Sequence, residues 1–528
     1  MHDPTPARVA FAAVPAALLT AACASQDALE AGGDAGPTLP TRPNIVFILT
    51  DDHATAGYGA YGSDRAHTPH LDRLAAEGLL FENAFCENSI CGPSRAAFLT
   101  GAYSHVHGFR QNGNSFDPAH DTFPRKLHDA GYQTALYGKW HLKSDPQGFD
   151  DYAVLPGQGH YYSPEFIGPE GRFTVPGYVS DIVTDMAVEW LREERDPDTP
   201  FLLHVQHKAP HRSWMPGPQE LALWADEDLP EPTTLFDDWS GRAPAAAEQE
   251  MTISDHLWAA YDLKLPVPEG VELTGPDRWA QGLLERMDED ERAAWDAHFG
   301  PRNAAYLADP PEGDERVRWN YQRYIKNYLR SVAGVDRNVG RLMSELDELG
   351  LAENTLIVYA SDQGFYLGEH GWYDKRWMYE ESLRLPLVMR WPGTIEPGRR
   401  EAAMVQNIDL AATLCELAGT EAPELNQGES LVPFVAGTEP EQWRDEIYYR
   451  YYEWGTHNVA PHYGVRTHDL KWIVYPGIEG ETPAAVELFD LDADPLELIS
   501  VHGDPAYAGR REELERRLAG LRREFGDE

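Results

Sequence analysis

The chain has 528 residues, 42% of them hydrophobic, and carries 44 Lys and Arg against 87 Asp and Glu, a net charge of −43. This length favours one large α/β domain with a smaller one, because single hydrophobic cores stop growing at about 250–300 residues. The strong negative charge argues against nucleic acid as a partner, and a site for an anionic substrate would need positive charge of its own.

The N-terminal segment resembles an export signal. Arg8 precedes the apolar run VAFAAVPAALLTAACAS, which is too short to span a bilayer. The Thr-Ala-Ala-Cys sequence ending at Cys23 also resembles a bacterial lipoprotein processing site, although Thr20 stands where Leu is usual. We expect residues 1–24 to be a signal peptide or lipoprotein leader and residues 25–41 to be a linker. The mature protein would then be exported, as a periplasmic protein, a lipid-anchored lipoprotein or a secreted protein.

Four apolar runs predict buried strands of a parallel sheet. They are NIVFILT, YQTALYG, FLLHVQ and TLIVYAS, and they are followed by DDH, KWH, HKAPH and DQG, respectively. One polar strand end usually marks only a solvated loop. Four of them favour a site, because ligands of open α/β sheets bind at the carboxyl ends of the strands.

The remaining segments predict the domain organisation. Hydrophobic residues at spacings of three and four from Val332 to Leu349 predict an amphipathic helix leading into the last of these strands. Residues 213–318 are acidic and rich in Pro and Trp without a strand pattern, which indicates an insertion in a catalytic domain of residues 42–440. Residues 441–528 have short aromatic alternating runs and a charged helical end, which predict an antiparallel sheet with a helix packed on it.

A group of oxygen donors follows the first and last of the four strands. Asp51 and Asp52 follow the first, and Asp362 and Gln363 follow the last. Carboxylates gathered this closely repel one another unless a cation lies between them. Oxygen ligands without paired thiols suit Ca²⁺ or Mg²⁺ better than zinc. The simpler alternative, that an aspartate caps a turn, would account for Asp51 or Asp52 but not for all three.

The segment FCENSICGPSRAAFLTG contains Cys86 and Cys91. A zinc site lacks a second ligand pair at suitable spacing, whereas a short-loop disulfide stays open. A plain cysteine nucleophile is the stronger alternative, because Pro93 would begin a helix whose N-terminus lowers the pKa of a thiol. Cys415 lies in an apolar helical pattern and is interpreted as a core residue.

The sequence Cys-Gly-Pro-Ser-Arg followed by AAFLTG resembles the signature of the type I, formylglycine-dependent sulfatases. GYQTALYGKWH resembles the second signature of that family, and TDDH, HKAPH and SDQG occur in matching order. The resemblance extends from Arg42 onward. It implies an alkaline-phosphatase-like fold with a large mixed sheet between helices.

The resemblance also implies a cofactor and a modified residue. One calcium ion would be held by Asp51, Asp52, Asp362 and Gln363 together with an oxygen of residue 91. Cys91 would be oxidised to formylglycine by a formylglycine-generating enzyme or an anaerobic maturase. A hydrated aldehyde carries two hydroxyl groups, so one attacks sulfur and the other allows sulfate to be expelled.

Five cationic or titratable side chains would act around this nucleophile, by the same resemblance. Arg95 and Lys139 would neutralise the nucleophile and the sulfate oxygens. His141 would hydrogen-bond the hydroxyl of residue 91. His211 and Lys375 would contact the sulfate and its ester oxygen, and one of them would protonate the leaving alcohol.

The run from Ser361 to Gly393 is similar to bacterial sulfatases of the N-acetylglucosamine-6-sulfatase type. The predicted substrate is thus a sulfated carbohydrate, with exo-acting removal of the 6-O-sulfate of a terminal N-acetylglucosamine. Predicted substrate-binding residues are His207, behind His211, and Trp454, His457 and His462, which could instead form an aromatic core. Three alternatives stay open: a choline- or arylsulfatase, a phosphonate or phosphodiester hydrolase of the same superfamily, and a non-catalytic glycan-binding protein with an unmodified Cys91.

Overall fold

The central strand, Asn44–Asp51, is buried along its whole length. Successive side chains of a strand point to opposite faces, and here the side chains on each face pack into a hydrophobic core. Ile45, Phe47 and Leu49 pack into one hydrophobic cluster, whereas Val46 and Ile48 pack into another. Helices therefore cover both faces of the sheet, which explains why the strand is a continuous apolar run.

The computed structural model describes residues 39–267, 270–438, 440–477 and 484–527. The predicted leader, including Cys23, lies outside these residues. From Leu39 onward the chain forms one unit by its internal contacts. None of the helices in the described ranges has the length and apolar character needed to cross a membrane. The predicted division near residue 440 stays a prediction.

In the described part of the chain, ten strands form the larger sheet. They are β1 (Asn44–Asp51), β2 (Leu79–Phe85), β3 (Gln133–Lys139), β4 (Asp151–Leu155), β5 (Glu165–Gly168), β6 (Gly171–Thr174), β7 (Phe201–Pro210), β8 (Thr355–Ser361), β9 (Leu387–Arg390) and β10 (Arg399–Gln406). Their order is β10-β2-β9-β8-β1-β7-β3-β4-β5-β6. Strands β8, β1, β7 and β3 run parallel, whereas β9 is antiparallel to its neighbours β2 and β8. The predicted large mixed sheet is confirmed.

The helices of the described residues flank this sheet and extend beyond it. They are α1 (Pro69–Ala76), α2 (Cys91–Thr100), α3 (Ser104–His107), α4 (Phe123–Asp129), α5 (Val179–Glu189), α6 (Ala245–Glu248), α7 (Asp277–Leu284), α8 (Glu289–Ala308), α9 (Gly313–Glu348), α10 (Glu380–Leu383), α11 (Asp409–Ala418), α12 (Val432–Val435) and α13 (Ala508–Phe525). Helices α5 and α9 contact β7. The predicted helix before β8 is the C-terminal part of α9. Residues 213–318 contain α6, α7, α8 and the start of α9.

A smaller antiparallel sheet follows, with strand order β11-β12-β13-β14. Its strands are β11 (Glu446–Tyr451), β12 (His462–Thr467), β13 (Leu470–Tyr475) and β14 (Ala485–Asp490). Helix α13 packs on it through Leu514, Leu518 and Leu521, which are buried in the same cluster as Trp472. The predicted sheet with one helix packed on it is confirmed.

One strand boundary differs from the prediction. The sequence places the end of the third apolar run at Gln206, but β7 continues to Pro210. The register between β1 and β7 shifts after Leu49, so that Asp51 pairs with Pro210. His207 therefore lies within a strand and not in a loop after it.

Candidate active site

The polar strand ends meet at one edge of the larger sheet. Strand β1 pairs in parallel with β8 and β7, and β7 pairs in parallel with β3. The carboxyl ends of β1, β3 and β8 therefore lie on the same side of the sheet. Asp51 ends β1, Lys139 ends β3, and Asp362 directly follows β8. Cys91 begins α2 beside them, within reach of Lys375. Sequence reasoning correctly brought these motifs to one edge.

The start of α2 is built closely around Cys91. A Cβ atom added to Gly92 would lie 2.6 Å from the ring of Phe109, so the position next to Cys91 requires glycine. Pro93 falls in the first turn, where a missing amide hydrogen costs no helical bond. The hydroxyl of Ser94 donates to the carbonyl of Asp362, which joins α2 to the end of β8. These contacts fix the position of residue 91 against the sheet.

Three buried aspartates form the centre of the site. Carboxylate oxygens of Asp51, Asp52 and Asp362 lie within 4.8 Å of one another. Asp52 has a positive φ of 71°, which turns its carboxylate back toward this group, and its amide donates to Asp362 Oδ1 at 3.1 Å. Burial raises the pKa of Asp52 to about 6, despite the opposing charge of Lys375. The group concentrates negative charge on three buried side chains.

Two oxygens among the three aspartates and the neighbouring Gln363 accept no hydrogen bond. They are Asp51 Oδ1 and Gln363 Oε1, both buried. The amide nitrogen of Gln363 lies 2.5 Å from Asp52 Oδ1, so the side chain reaches the aspartates. Buried oxygens without donors need an explanation, and an ion is one. An all-oxygen set of this kind fits a hard divalent cation, as predicted from the residue types.

Three cationic side chains surround the aspartates. Lys139 Nζ donates to Asp51, and Lys375 Nζ donates to Asp52. Arg95 Nε donates to Asp362 Oδ2 at 3.0 Å. The local positive charge expected for an anionic substrate is therefore present.

The two lysines have opposite pKa shifts. Burial, reinforced by the charge of Lys208, lowers the pKa of Lys139 well below its ordinary value. Burial alone would also lower the pKa of Lys375, but the negative charge of Asp52 raises it above the ordinary value. Lys375 therefore keeps its proton. That proton is in contact with residue 91, since the Nζ to Sγ distance is 3.1 Å.

Cys91 is a buried, free thiol, and so are Cys86 and Cys415. The short-loop disulfide between Cys86 and Cys91 is not formed. Burial raises the pKa of Cys91 to about 12, although Lys375 acts in the opposite direction. The thiol is thus protonated at neutral pH. This environment does not provide the lowered thiol pKa that a plain cysteine nucleophile requires.

Two of the predicted histidines lie at the cluster. His211 Nε2 is 3.8 Å from Asp52 Oδ2, and its Nδ1 is 2.5 Å from the carbonyl of Arg212. His141 lies two residues past Lys139, and its buried Nδ1 has no hydrogen-bond partner. Burial and the neighbouring charge of Lys139 lower the pKa of both histidines well below the ordinary value. Both imidazoles are therefore neutral in this environment, so each has one unprotonated ring nitrogen, and the lowered pKa makes each a weaker base than an exposed histidine.

The side chain of His207 points away from the cluster. It is buried in β7, next to Gln206, which faces the cluster and accepts from Arg95 Nη1 at 2.6 Å. Adjacent side chains of a strand point to opposite faces. Consistently, the charge that acts on His207 is that of Asp181 in α5, and burial lowers its pKa to about 4.

The three residues predicted near the sugar occupy different environments. Trp454 is 76% exposed. His457 contacts the carbonyl of Glu250 at 2.9 Å through Nδ1 and lies 3.4 Å from Asp374 Oδ2 through Nε2. His457 therefore reaches the segment that carries Lys375.

His462 departs from the expected sugar contact. It is buried, its Nε2 accepts from the amide of Met378 at 3.0 Å, and its Nδ1 contacts the carbonyl of Ala460 at 2.8 Å. Its ring stacks on Trp377 at a centroid distance of 5.4 Å. Because both nitrogens are occupied by the backbone, His462 has none left for a sugar. The aromatic-core alternative describes this residue.

Sequence reasoning missed several polar residues of the site. Lys208 is buried, and burial lowers its pKa to about 7. The charge of Asp52 opposes this shift, which places Lys208 near the cluster. Gln158 accepts from Lys139 Nζ at 2.6 Å. The position of Lys208 inside HKAPH was a signal for it. Gln158 lies in a Gly-rich turn, and the residue pattern there gives no such signal.

A charged pair flanking Lys375 was also missed. Arg376 Nε donates to Asp374 Oδ1 at 3.1 Å, and Arg376 Nη1 lies 3.4 Å from Glu453 Oε2. With His457, these side chains form a polar group next to Lys375. The run of three charges, DKR, in an otherwise aromatic segment was the signal for them.

Comparisons with known proteins agree with this geometry. The sulfatase family matches residues 43–420, and a second family, described as the C-terminal part of N-sulphoglucosamine sulphohydrolase, matches residues 368–524. A phosphonate monoester hydrolase of Agrobacterium radiobacter has a TM-score of 0.64 at 22% identity, over 92% of this chain and 96% of that one. This likeness shows a shared fold, and the predicted alkaline-phosphatase-like architecture is confirmed.

Two further comparisons give higher similarity. An N-acetylglucosamine-6-O-sulfatase of Bacteroides thetaiotaomicron is 42% identical over 97% of this chain and 90% of its own length. A solved structure described as a complex with its substrate, D-glucosamine-2-N,6-O-disulfate, is 42% identical, has a TM-score of 0.87, and covers 92% of this chain and 98% of that one. Together with the match over most of the sequence, these similarities show that the chain belongs to the sulfatase family.

Proposed function

We propose that this sulfatase hydrolyses sulfate esters of sulfated sugars, and that it removes the 6-O-sulfate of a terminal N-acetylglucosamine-type residue. The observation that carries the proposal is the contact of Lys375 with both Cys91 and Asp52 in a buried cluster. The 42% identity with an N-acetylglucosamine-6-O-sulfatase supports the choice of sugar. Family members are generally sulfate ester hydrolases, so the class of reaction follows from the membership.

The metal of this site is proposed to be one calcium ion. Asp51, Asp52, Asp362 and Gln363 would hold it, with an oxygen of residue 91 after its modification. Support comes from the two buried oxygens without donors, Asp51 Oδ1 and Gln363 Oε1. When bound, the ion would stabilise negative charge on the nucleophile and on the sulfate. It would also relieve the repulsion that the three carboxylates exert on one another.

Cys91 is proposed to be oxidised to formylglycine by a separate maturation enzyme, which supplies the oxidant. The hydrated aldehyde then offers one hydroxyl for attack on sulfur and a second for release of sulfate. Around it, Arg95 would hold the sulfate oxygens by charge and Lys139 would hold them by hydrogen bonds from Nζ, while α2 fixes the position of residue 91. The burial of this position keeps bulk water away from the sulfated intermediate.

Proton transfer is assigned to three side chains. Lys375 keeps its proton and touches residue 91, so it is assigned to protonate the leaving alcohol. His211, the alternative donor, is neutral and would first have to take up a proton at Nε2. His141 is neutral and has a free Nδ1. It is therefore suited to take the proton from the second hydroxyl as sulfate leaves.

The sugar ring is proposed to lie beside Asp374, Arg376 and His457. These side chains adjoin Lys375. The Nδ1 of His457 is bonded to the carbonyl of Glu250, so its Nε2, 3.4 Å from Asp374, is the atom that would bond a ring hydroxyl or the acetamide group. Trp454, which is exposed on the same segment as His457, is proposed to stack on the sugar at the rim. A primary 6-O-sulfate extends away from the ring, so the sulfate can enter the buried cluster while the ring stays outside.

The test is a substrate panel measured with purified, matured protein. The panel contains 6-O-, 3-O- and 2-O-sulfated glucosamine derivatives, an aryl sulfate, choline sulfate and a phosphonate monoester. The proposal expects the highest kcat/KM for the 6-O-sulfated N-acetylglucosamine. Faster cleavage of another position would refute the regiochemistry. Preference for choline sulfate, the aryl ester or the phosphonate would select one of the other superfamily activities.

We also propose that the chain is exported, since residues 1–24 have the composition of a signal peptide or lipoprotein leader. The proposed organisation is a catalytic domain of residues 42–440, with an insertion at 213–318, and a C-terminal subdomain of residues 441–528. N-terminal sequencing of the native protein tests the export, with a start at or near Cys23 as the expected result. Retention of Met1 would contradict it.

A further inference from the structure

A second positively charged pocket lies between α8, α9 and residues 224–228, which belong to the segment between β7 and α6. Arg323, Lys326 and Arg330 are spaced by three and four residues and so share one face of α9. With Arg302 and His298 of α8 they line a cavity of about 150 Å³. None of these residues belongs to the catalytic cluster. In a chain of net charge −43, such a concentration of cations needs a reason.

The hydrogen bonds that orient the three arginines go to neutral groups. Arg323 Nη2 donates to the amide oxygen of Asn303 at 2.7 Å, and its guanidinium lies over the ring of Trp319, 4.9 Å from the centroid. Arg302 donates to two backbone carbonyls, at 2.7 and 2.9 Å. Arg330 donates to the carbonyl of Leu223, at 2.9 and 2.7 Å. These contacts orient the charges without neutralising them.

Counter-charges are scarce inside the pocket. In the described ranges, no carboxylate lies within 4.0 Å of the guanidinium of Arg323 or Arg330. Asp228 lines the pocket and pairs with Lys326 at 3.0 Å, and Asp226 lies 3.7 Å from Arg302, but the two aspartate side chains are 81% and 99% exposed. The buried part of the cluster therefore keeps its positive charge.

The pKa shifts agree with this electrostatic description. Burial and the charge of Arg302 lower the pKa of Arg323 to about 10, and burial with Arg302 and Arg323 lowers that of Arg330 to about 9. Both stay cationic at neutral pH, at a cost that a bound anion would offset. His298 adds a buried Nε2 with no hydrogen-bond partner. An unpartnered polar atom beside three arginines is the second sign of a missing ligand.

We propose that this pocket binds a tetrahedral oxyanion, namely sulfate or the sulfo group of a sulfated sugar. Guanidinium groups match such an anion because each can offer two parallel N–H donors to its oxygens. The cavity is smaller than the ~300 Å³ at which sites for drug-sized ligands begin, yet larger than the ~30 Å³ of one water. It therefore suits one small anionic group rather than a whole oligosaccharide.

Two sources could supply this anion. One is free sulfate, and the other is a sulfo group on a distant unit of a longer glycan whose end occupies the catalytic cluster. The second source rests on the proposed function, whereas binding of free sulfate does not. The experiment therefore has one arm for each source.

The first arm measures the melting temperature of the full-length protein as sodium sulfate replaces sodium chloride at constant ionic strength. Three proteins are compared: wild type, Arg323→Gln, and Arg316→Gln. Arg316 is a matched control because it lies on α9 with an exposed partner, Asp255. Sulfate bound at the catalytic cluster contributes equally to all three. The part of the melting-temperature rise that does not come from the catalytic cluster reports on the pocket. We expect the apparent sulfate affinity obtained from that part to weaken about tenfold in Arg323→Gln only.

The second arm measures KM for a 6-O-sulfated monosaccharide and for a size-defined heparin tetrasaccharide. A raised KM for the tetrasaccharide alone in Arg323→Gln assigns the pocket to the glycan, and unchanged KM values with the lost sulfate response assign it to free sulfate. Arg302→Gln repeats both arms if Arg323→Gln does not fold. Equal sulfate responses and equal KM values in all variants would overturn the proposal and leave the catalytic assignment intact.

Discussion

The sheet edge around Cys91 and the segment from Trp454 to His462 were both predicted to contact substrate. The predicted residues converge on one site at the sheet edge but occupy different environments in the other segment. At the sheet edge, Asp51, Lys139 and Asp362 converge because parallel strands end on the same side. In the other segment, Trp454 is exposed, while His462 has both nitrogens bonded to the backbone. The location of a residue in the fold can be predicted from sequence when the residue directly follows a strand that the apolar pattern identifies. Composition alone does not separate a sugar contact from a core.

The largest expected effect is at Cys91. Cys91→Ala removes the nucleophile, so we expect kcat to fall about a thousandfold or more. The unfolding free energy should change by only about 1 kcal/mol, because one small buried side chain is lost. Turnover of a sulfated sugar and thermal unfolding measure the two quantities. Activity close to that of wild type would remove the sheet edge from the catalytic site.

The next effect concerns the metal. Asp51→Asn removes one charge from the three carboxylates, and we expect activity to fall about 100-fold or more, with loss of calcium-dependent stabilisation. In wild type, calcium at 100 times its Kd should stabilise the fold by about 2.7 kcal/mol. Asp64→Asn is the control, since the Asp64 side chain is 78% exposed. A chelated wild-type protein that keeps its rate and melting temperature would contradict the metal site.

His457 and His462 provide a direct comparison within the second segment. His457→Ala should lower kcat/KM for the sulfated sugar about tenfold and leave an aryl sulfate nearly unaffected, because a hydrogen bond to the ring is worth about 1–3 kcal/mol. Activity on both substrates is measured in parallel. Equal losses on the two would mean that His457 supports the fold instead.

His462→Ala should instead act on stability. It removes a buried ring and leaves the amide of Met378 without an acceptor, so we expect a loss of about 2–4 kcal/mol in unfolding free energy. At a temperature where the variant is folded, the ratio of sugar to aryl sulfate turnover should stay at its wild-type value. A selective loss on the sugar would restore His462 as a substrate contact.

Trp454 gives the smallest expected effect. Because its side chain is largely exposed, Trp454→Ala should change the unfolding free energy by about 0.5 kcal/mol or less. If the ring stacks on the sugar, KM for the sugar should rise several-fold while kcat stays constant. An unchanged KM would limit the sugar contacts to Asp374, Arg376 and His457.

The fold was predictable where periodicity is strong. The apolar runs of β1, β3 and β8 and the hydrophobic spacing of α9 each identified an element. The end of β7 was not predictable, because the register shift that pairs Asp51 with Pro210 depends on the neighbouring strand. Helices α7 and α8 were missed in a segment that the composition marked only as acidic and rich in Pro and Trp.

The site was predictable to the extent that its residues belong to motifs. Cys91, Arg95 and Lys375 lie together as expected, but Gln158 and Lys208 reach the cluster through turns and strand alternation. His207 was placed beside His211 by sequence, whereas its position in β7 directs it toward Asp181. A shift of one residue along a strand moves a side chain to the opposite face of the sheet. The sequence pattern did not show on which face of β7 His207 lies.

The most direct test of the catalytic account is the mass of the peptide that contains residue 91, taken from protein whose turnover of 6-O-sulfated N-acetylglucosamine has been measured. The account predicts that the fraction of peptide carrying an aldehyde or its hydrate in place of the Cys91 thiol rises in proportion to specific activity across preparations. Full activity in preparations whose Cys91 is entirely an unmodified thiol would contradict it.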